Sequence, residues 1–286
     1  MRRPAPLPVR DGLGPARVRL RGGAVLVEFA DRFGEAAAQK VLDGEVFTAD
    51  GEVVGAATVL QPNSVVYLYR DLPDEVPVPF DMPIVYRDEN VVVVDKPHFL
   101  ATMPRGSHVA ETALVRLRRE LDVPELSPAH RLDRLTAGVL VFTTRRAVRG
   151  AYQTLFARGE VAKTYLARSS APHTGHEFPV TVRSRIVKRR GSLQACEEPG
   201  EPNAETVVEH MGDGRYRLTP RTGRTHQLRV HMNSLGLPID GDPLYPDVVE
   251  VAAGDFSAPL RLLAQTLEFT DPITGLHRRF TSARSL

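Results

Sequence analysis

Residues 128–144 read PAHRLDRLTAGVLVFTT, a stretch in which a charged cluster runs directly into an apolar segment. The apolar half has the β-branched and aromatic residues of a buried strand. Ahead of this strand, Asp133 lies between Arg131 and Arg134. Because side chains alternate along an extended chain, Arg131 and Asp133 are expected on one side and Leu132 on the other. The stretch therefore predicts a core strand whose entry presents a carboxylate.

Asp133 has a chemical and a structural interpretation. Neighbouring guanidinium charge favours the ionised form of a carboxyl group, and an ionised carboxylate can serve as a nucleophile or a base. The alternative is a surface aspartate paired with the adjacent arginines, an arrangement that contributes little to stability. Thr136 and Gly138, which follow, are typical of a turn. The residues alone leave both interpretations open.

Four segments, taken in order, resemble the motifs of the RluA-type pseudouridine synthases. HRLDRLTAG at 130–138 is similar to the central motif of that family. The other segments are VVVVDKPHFL at 91–100, similar to the opening strand and Asp-Lys-Pro turn, VAKTYLA at 161–167, similar to the Lys-x-Tyr strand, and TGRTHQLRVHM at 222–232 with GLPIDGDPLY at 236–245, similar to the late helix and Gly-Asp turn. The resemblance extends over residues 84–286. Ala137 departs from the serine of many members, which exchanges one small residue for another.

The resemblance implies an RNA pseudouridine synthase, an isomerase that converts specific uridines of structured RNA (rRNA or tRNA) to pseudouridine without a cofactor. Asp133 then corresponds to the catalytic aspartate, Tyr165 to the active-site tyrosine, and Arg229 to the arginine that pairs with the aspartate. The reaction breaks the C1′–N1 bond, turns the uracil and rejoins it through C5, and it requires a carboxylate and a proton acceptor. Whether Asp133 addresses C1′, C2′ or C6 stays open. Without the resemblance, Tyr165 is a core aromatic residue and Arg229 a solvated helix charge.

Further residues are candidates for RNA contacts. Arg131 resembles a family arginine that fills the gap left by an extruded nucleotide, a use that suits a planar cation. TVRSRIVKRR at 181–190 is dense in cations and predicts a hairpin or loop that contacts phosphates, with an ordinary solvated surface as the alternative. The predicted RNA-binding residues are His130, Arg131, Arg134, Arg183, Arg185, Lys188, Arg189, Arg190, Arg224 and His226.

The segment around Arg229 predicts a helix. Thr222 or Thr225 can cap its start, and Gly236 can end it. The expected buried stripe consists of Leu228, Met232 and Leu235. A helix held in this way is a suitable platform for one aimed guanidinium group.

The order of the elements predicts an α+β domain. The strand candidates are NVVVVDK, GVLVFTT, AKTYLA, TVVEHM and RYRLT, and the helical candidates are ETALVRLRREL and RRAVRGAYQTLFARG. Because strands and helices do not alternate strictly, a mixed, mainly antiparallel sheet with flanking helices is favoured. The resemblance implies the pseudouridine synthase fold with a central active-site cleft, one wall of which is shaped by Asp95-Lys96-Pro97 without a role in bond making.

The proline-rich, acidic segment DLPDEVPVPFDMP at 71–83 predicts an extended connector. We therefore expect a small N-terminal module at 1–80 and a catalytic domain at 81–286. In the module, DRFGEAAAQKVLDGEV predicts a short helix closed by Gly44, and strand-like runs follow. The module resembles an S4 RNA-binding domain, although it carries the acidic residues Glu45, Asp50 and Glu52 where that family has a dense basic face.

Composition limits the remaining possibilities. The chain has 37 Lys and Arg against 35 Asp and Glu, so RNA binding must be local rather than spread over the surface. No apolar run approaches the roughly 20 residues that cross a bilayer, and the N-terminus lacks the apolar core of a secretory signal. Cys196 is the one cysteine, which excludes an internal disulfide and a cysteine-based zinc site. We expect a cytoplasmic monomer that binds RNA, with no membrane association, obligate protein partner or metal.

Two other classes of function stay open. A catalytically silent RNA-binding protein would be expected to lack one of the three catalytic candidates, all of which are present. A metal-dependent nuclease requires clustered carboxylates or histidines. Asp240 and Asp242 could form such a pair, whereas the spacing of His226 and His231 does not put both imidazoles on one helical face. Excess chelator separates the two enzymes, because isomerisation persists in it and metal-dependent hydrolysis stops.

Overall fold

A computed structural model describes residues 6–72, 74–173 and 175–286. Part of the N-terminus used in the signal-peptide argument and Pro73 of the predicted connector lie outside these residues. The chain divides into two compact units. The first contains the described residues up to Asp74 together with Arg118–Pro124, and the second contains Glu75–Leu117 and Glu125–Leu286. This division falls six residues before the boundary predicted from the connector.

The first unit is a small α/β module. Its elements are β1 (Ala16–Arg19), β2 (Gly23–Ala24), α1 (Val25–Phe33), α2 (Glu35–Leu42), β3 (Val46–Thr48), β4 (Val59–Leu60) and β5 (Val65–Leu68). An antiparallel sheet has the order β1-β5-β3, and β2 pairs with β4. Val25 and Phe29 of α1 pack with Val41 of α2 and Val66 of β5 in a core of their own.

The prediction of one helix in this module was wrong in its bounds. The helical region begins at Val25, earlier than expected, and Gly34 divides it into two helices. Gly34 has φ 83°, a left-handed conformation that favours glycine over residues with a Cβ atom. The predicted end near Gly44 is confirmed, because α2 stops at Leu42 and Gly44 has φ 70°.

The second unit is built on one mixed sheet. Its elements are β6 (Ile84–Arg87), β7 (Val91–Lys96), α3 (Ala113–Leu121, whose last turn counts with the first unit), β8 (Ser127–Pro128), β9 (Ala137–Thr143), α4 (Arg146–Ala157), β10 (Ala162–Arg168), β11 (Val180–Val187), β12 (Cys196–Glu198), β13 (Ala204–His210), β14 (Arg215–Pro220), α5 (Gln227–Ser234), β15 (Leu262–Thr270) and β16 (His277–Thr281). The strand order is β12-β11-β13-β14-β10-β15-β9-β7-β6, with β16 beside β15 and β8 beside β9. Among the described strands of this sheet, only β9 and β15 pair in parallel, so the prediction of a mixed, mainly antiparallel sheet is confirmed.

The helical spacing of Val148, Tyr152, Leu155 and Phe156 predicts one buried face for α4, which is confirmed except that Phe156 is only partly buried. Val148, Tyr152 and Leu155 are buried and pack against Val139 and Val141 of β9. The phenol of Tyr152 donates a hydrogen bond to a carboxylate, that of Asp271, so this buried aromatic residue has a satisfied polar atom. Of the described helices, none is long and apolar enough to cross a membrane.

Gly138 has a different role from the turn predicted for it. It lies inside β9 with φ 115°, opposite Ala264 of the parallel strand β15. A Cβ atom on Gly138 would lie 2.2 Å from the carbonyl oxygen of Ala264. The close approach of these two strands therefore requires glycine. It places the start of β9, which follows the loop of the catalytic candidate Asp133, beside β15, and β10 pairs with the other edge of β15.

The capping prediction for α5 was wrong. The helix starts at Gln227, and its N-cap is His226, in a left-handed conformation and without a side-chain cap. The hydroxyl of Thr222 instead donates to the side-chain oxygen of Gln227, and that oxygen also accepts the N–H of Arg224. The C-terminal prediction is confirmed, since Gly236 has φ 70° directly after the end of the helix.

Candidate active site

A cavity of about 570 Å³ opens in the second unit, between the loop that leads into β9, the strand β10 and the start of α5. Its lining includes the three catalytic candidates Asp133, Tyr165 and Arg229. It also includes four of the predicted RNA-binding residues, namely His130, Arg131, Arg224 and His226. Residues from three separate sequence motifs therefore meet at one concave site.

The backbone on both sides of Asp133 is held by the segment that follows β7. The hydroxyl of Thr102 donates to the carbonyl of Leu132 at 2.8 Å and accepts the N–H of the same residue at 3.1 Å. Within the loop itself, the N–H of Thr136 donates to the carbonyl of Asp133, which closes a turn. Leu132 is buried and Arg131 exposed, as the predicted alternation requires. The carboxylate of Asp133 thus has a fixed backbone while its side chain keeps 30% of its surface exposed.

Lys96 and His98 hold the next two residues of this loop. Nζ of the fully buried Lys96 donates to the carbonyls of Pro97, Leu100 and Arg134, and burial lowers its pKa to about 7. Nδ1 of His98 donates to the carbonyl of Leu135 at 2.7 Å. Hydrogen bonds from the Asp-Lys-Pro turn and from the following His98 therefore hold the loop of Asp133.

Arg229 is almost completely buried, with 2% of its surface exposed. Its main partner is Asp242, whose two carboxylate oxygens accept hydrogen bonds from Nε at 2.7 Å and Nη2 at 2.5 Å. The remaining nitrogen, Nη1, lies 3.7 Å from Oδ2 of Asp133. Burial alone would lower the pKa of Arg229, but the hydrogen bonds and charge of Asp242, helped by the charge of Asp133, raise it. A permanently charged guanidinium therefore faces Asp133, as the motif resemblance implied.

The pairing alternative for Asp133 is contradicted. Within the residues described by the structure, neither Arg131 nor Arg134 forms an ion pair with it, and the cation that approaches it is Arg229. The interpretation of Arg229 as a solvated helix charge is likewise wrong, because α5 is buried from Gln227 to Met232.

Tyr165 lies in the middle of β10, at a point where the pairing with β15 shifts register. Its ring is partly exposed and lines the cavity. Burial and the negative charge of Asp133 raise the pKa of Tyr165. The side chain is therefore a neutral phenol at neutral pH, which offers an apolar face and an O–H group to a planar ligand.

Two histidines of the cavity wall are neutral and engaged with protein partners. Nε2 of His130 accepts the N–H of Val141, and its ring stacks on Phe156 with centroids 4.3 Å apart. Burial lowers the pKa of His130 to about 3. Nδ1 of His226 is 3.0 Å from the hydroxyl of Tyr245, and burial lowers the pKa of His226 to about 4. Neither imidazole adds positive charge for a phosphate at neutral pH.

The predicted cationic hairpin is present as β11 and β12, which pair antiparallel. Two of its five cations are neutralised by ion pairs, Arg183 with Glu205 and Arg189 with Glu198. Lys188 donates to the carbonyls of Ser192 and Leu193, and burial followed by the charge of Arg105 lowers its pKa. Among the described residues, Arg185 and Arg190 have no ion-pair partner. The contact of this hairpin with RNA stays a prediction.

The structure adds one cation to the predicted set and moves another away from the cavity. Lys163, the lysine of the Lys-x-Tyr segment, lines the cavity two residues from Tyr165 and donates to the carbonyl of Thr222. The Lys-x-Tyr spacing placed it on the same side of the strand, a signal that sequence reasoning left unused. Arg134 is not among the described residues that line the cavity. Its backbone carbonyl accepts a hydrogen bond from Lys96.

Asp240 and Asp242 were the candidates for a metal-binding carboxylate pair. No group of three or more His, Cys, Asp or Glu residues that could hold a metal ion occurs within residues 6–72, 74–173 and 175–286. Asp242 accepts hydrogen bonds from Arg229, and Asp240 accepts hydrogen bonds from the backbone N–H and the hydroxyl of Ser170. The two aspartates therefore do not form a carboxylate pair of the kind that a nuclease requires.

Comparison with known proteins agrees with this geometry. The sequence profile of the family described as RNA pseudouridylate synthase matches residues 90–234. The dual-specificity RNA pseudouridine synthase RluA of Salmonella typhi is 36% identical over 204 residues, covering 67% of this chain and 88% of that protein. The mitochondrial tRNA pseudouridine(32) synthase of Saccharomyces cerevisiae is 31% identical over 228 residues, covering 76% of this chain and 48% of that protein.

A solved structure is similar as well. Human RNA Pseudouridylate Synthase Domain Containing 1 superimposes with a TM-score of 0.57 at 27% identity, covering 71% of this chain and 84% of that chain. The chain belongs to the RNA pseudouridylate synthase family. The predictions of an RluA-like RNA pseudouridine synthase, of an isomerase and of the pseudouridine synthase fold are thereby confirmed.

Proposed function

We propose that this protein isomerises specific uridines in structured rRNA or tRNA and that Asp133 carries the chemistry. The observation that supports this most directly is that Asp133, Arg229 and Tyr165 line one cavity, with Nη1 of Arg229 3.7 Å from Oδ2 of Asp133. The names of similar proteins point to both classes of RNA, since one is a dual-specificity RNA enzyme and another a tRNA enzyme. No cofactor enters the proposed reaction.

Asp133 acts on the extruded nucleotide as nucleophile or base. Its carboxylate is partly exposed to the cavity on a fixed backbone, which suits attack on a bound substrate. Arg229 keeps this carboxylate oriented through charge, at a distance that leaves its oxygens free of a tight ion pair. The carbon that Asp133 addresses, C1′, C2′ or C6, is left open by this arrangement.

Tyr165 supplies a stacking face for the uracil that leaves the RNA helix. Because its pKa is raised, the phenol does not act as an anionic base at neutral pH. A contribution to removal of the C5 proton would therefore need a base that accepts the phenol proton in turn. Tyr165→Phe, which keeps the ring and loses the hydroxyl, separates the two roles in a single-turnover assay.

Cations around the cavity mouth supply the contacts to the RNA backbone. Arg131 and Arg224 are exposed at the cavity lining, and the half-buried Lys163 also lines the cavity. Planar arginines stack on bases and pair with phosphates, so Arg131 is suited to fill the gap left by the target nucleotide. The hairpin β11–β12 contributes Arg185 and Arg190 at longer range.

The N-terminal unit is proposed to be S4-like and to add RNA affinity without taking part in the chemistry. Its paired helices followed by short strands support the likeness, and its acidic residues limit the expected contribution. A fragment that begins at Glu75 tests this role. Glu75 is needed because its carboxylate accepts the N–H groups of Val109, Ala110 and Glu111 within the second unit. We expect this fragment to retain conversion with weaker RNA binding, and an insoluble fragment would show that the first unit belongs to the fold.

The decisive experiment incubates the full chain with unmodified rRNA and tRNA and maps pseudouridine before and after, with and without excess chelator. New pseudouridines at a few defined positions, unaffected by chelator, are expected. RNA binding without any conversion would favour the silent RNA-binding protein, and chelator-sensitive strand cleavage would favour the nuclease. The cytoplasmic location and the monomeric state stay predictions.

A further inference from the structure

Asp242 lies in a turn directly after Gly241, beyond the end of α5. The backbone of this turn is locked, because Gly241 has φ 73° and a Cβ atom there would lie 2.4 Å from the carbonyl oxygen of Pro259. The side chain of Asp242 is fully buried. Its Oδ1 accepts the N–H of Leu244 at 2.8 Å and that of Tyr245 at 3.3 Å. A buried carboxylate held at its own backbone is a rigid anchor.

The anchored carboxylate determines where the guanidinium of Arg229 can lie. Asp242 takes Nε and Nη2 in a bidentate pair, which fixes the plane of the group as well as its position. The ring of Tyr245 packs against the same guanidinium, with its centroid 5.2 Å from the central carbon. Nη1 is the nitrogen that remains, and it lies 3.7 Å from Asp133.

We propose that Asp242 is a positioning residue for the reaction, acting on Asp133 through Arg229. This inference rests on the proposed function of Asp133. Asp242 prevents Arg229 from forming a bidentate pair with Asp133, while it keeps the positive charge close enough to orient the carboxylate. Without Asp242, the buried guanidinium has one carboxylate left to pair with, and a carboxylate tied into two hydrogen bonds is a weaker nucleophile and base.

Asp242→Asn tests this role in a single-turnover assay with enzyme in excess over an RNA that the unaltered protein converts. The expected result is a rate lower by about 10²-fold, the scale of a misplaced catalytic group, with RNA affinity unchanged within about threefold. Asp242→Glu keeps the charge and should recover part of the rate. Asp240→Asn is the matched control, because Asp240 lies two residues away and binds Ser170 rather than Arg229. It should convert RNA at close to the original rate.

A second comparison covers the case in which Asp242→Asn leaves a buried unpaired arginine and unfolds. Arg229→Gln with Asp242→Asn removes both charges, so it is compared with Arg229→Gln alone. If Asp242 acts only through Arg229, the two rates agree within about threefold. A further loss of tenfold or more in the double variant, or full activity of a folded Asp242→Asn, would overturn the proposal. If the unaltered protein forms no pseudouridine, the proposed function itself fails, which is a distinct result.

Discussion

Arg229 and the cations of the β11–β12 hairpin differ in how deeply they are buried and in how their charges are paired. Arg229 is 2% exposed, and its charge is shared between the buried Asp242 and the cavity-facing Asp133. The cations of the β11–β12 hairpin are mostly exposed, and two of them, Arg183 and Arg189, pair with glutamates at the surface. Arg229 is therefore fixed by buried hydrogen bonds, whereas the hairpin cations lie largely at the exposed surface.

The difference separates two uses of charge. A buried guanidinium in fixed hydrogen bonds acts over a few ångströms, where low dielectric makes orientation matter. An exposed cation acts on RNA through the counterions it displaces, and salt screens it. Substitutions in the buried group should therefore change rate or stability, and substitutions in the hairpin should change the salt dependence of binding.

Asp133→Asn should have the largest effect. The change keeps the size of the side chain and removes the ionised oxygen, so we expect conversion to fall by at least about 10³-fold. RNA affinity and the thermal midpoint should change little, because the side chain is partly exposed and its packing is preserved. Single-turnover conversion, an RNA-binding titration and a thermal melt measure the three quantities. Appreciable conversion by the folded variant would remove Asp133 from the mechanism.

Arg229→Gln should combine a large loss of stability with a loss of rate. The variant leaves the fully buried carboxylate of Asp242 without its partner, and breaking a buried pair costs about 3–5 kcal/mol. Denaturant unfolding should show this decrease, and adding Asp242→Asn should reverse part of it by removing the stranded charge. In the background of Asp133→Asn, loss of Arg229 should reduce the residual conversion little further. Equal stabilities of Arg229→Gln and the original protein would contradict the buried pair.

Lys96 gives a pH-dependent prediction. Burial lowers its pKa to about 7 in the folded state, whereas an unfolded lysine has about 10.4. Between these values the unfolded chain binds a proton that the folded chain does not, so stability rises with pH and is lost as pH falls towards 7. From pH 7 to pH 9, the original protein should gain about 2 kcal/mol relative to Lys96→Met. Denaturant unfolding of both proteins at the two pH values measures the difference. Equal changes in the free energy of unfolding of the two proteins would indicate an ordinary pKa for Lys96.

Local sequence patterns were sufficient for several elements of the second unit, but not for β15, which none of the strand candidates covers. The strands NVVVVDK and GVLVFTT and the buried stripe of α4 follow from composition and period. Asp133, Tyr165 and Arg229 were recognised by resemblance, and the structure brings all three to one cavity. Their catalytic roles stay predictions.

Such patterns could not predict contacts between residues that are distant in the sequence. Thr102 holds Leu132 across 30 residues, and Asp242 holds Arg229 across 13. Neither pairing leaves a periodic signal, because each depends on how loops approach one another after the sheet has formed. For the same reason, the period of α5 suggested a solvated face for Arg229, although the surrounding chain buries that face too.

Substitutions of the hairpin cations should have the smallest effect, and they test directly whether these exposed cations contact RNA phosphates. Arg185→Gln with Arg190→Gln removes two cations that have no ion-pair partner among the described residues. Arg183→Gln with Arg189→Gln removes two that are already paired with Glu205 and Glu198. Each lost phosphate contact reduces the slope of log affinity against log salt by about 0.7–0.9. If both cations contact phosphate, the first pair should therefore flatten the slope by about 1.4–1.8, and the second pair by less, while single-turnover rates at saturating enzyme stay unchanged. RNA titrations at several salt concentrations measure this, and equal slopes for all proteins would assign the hairpin to ordinary solvated surface.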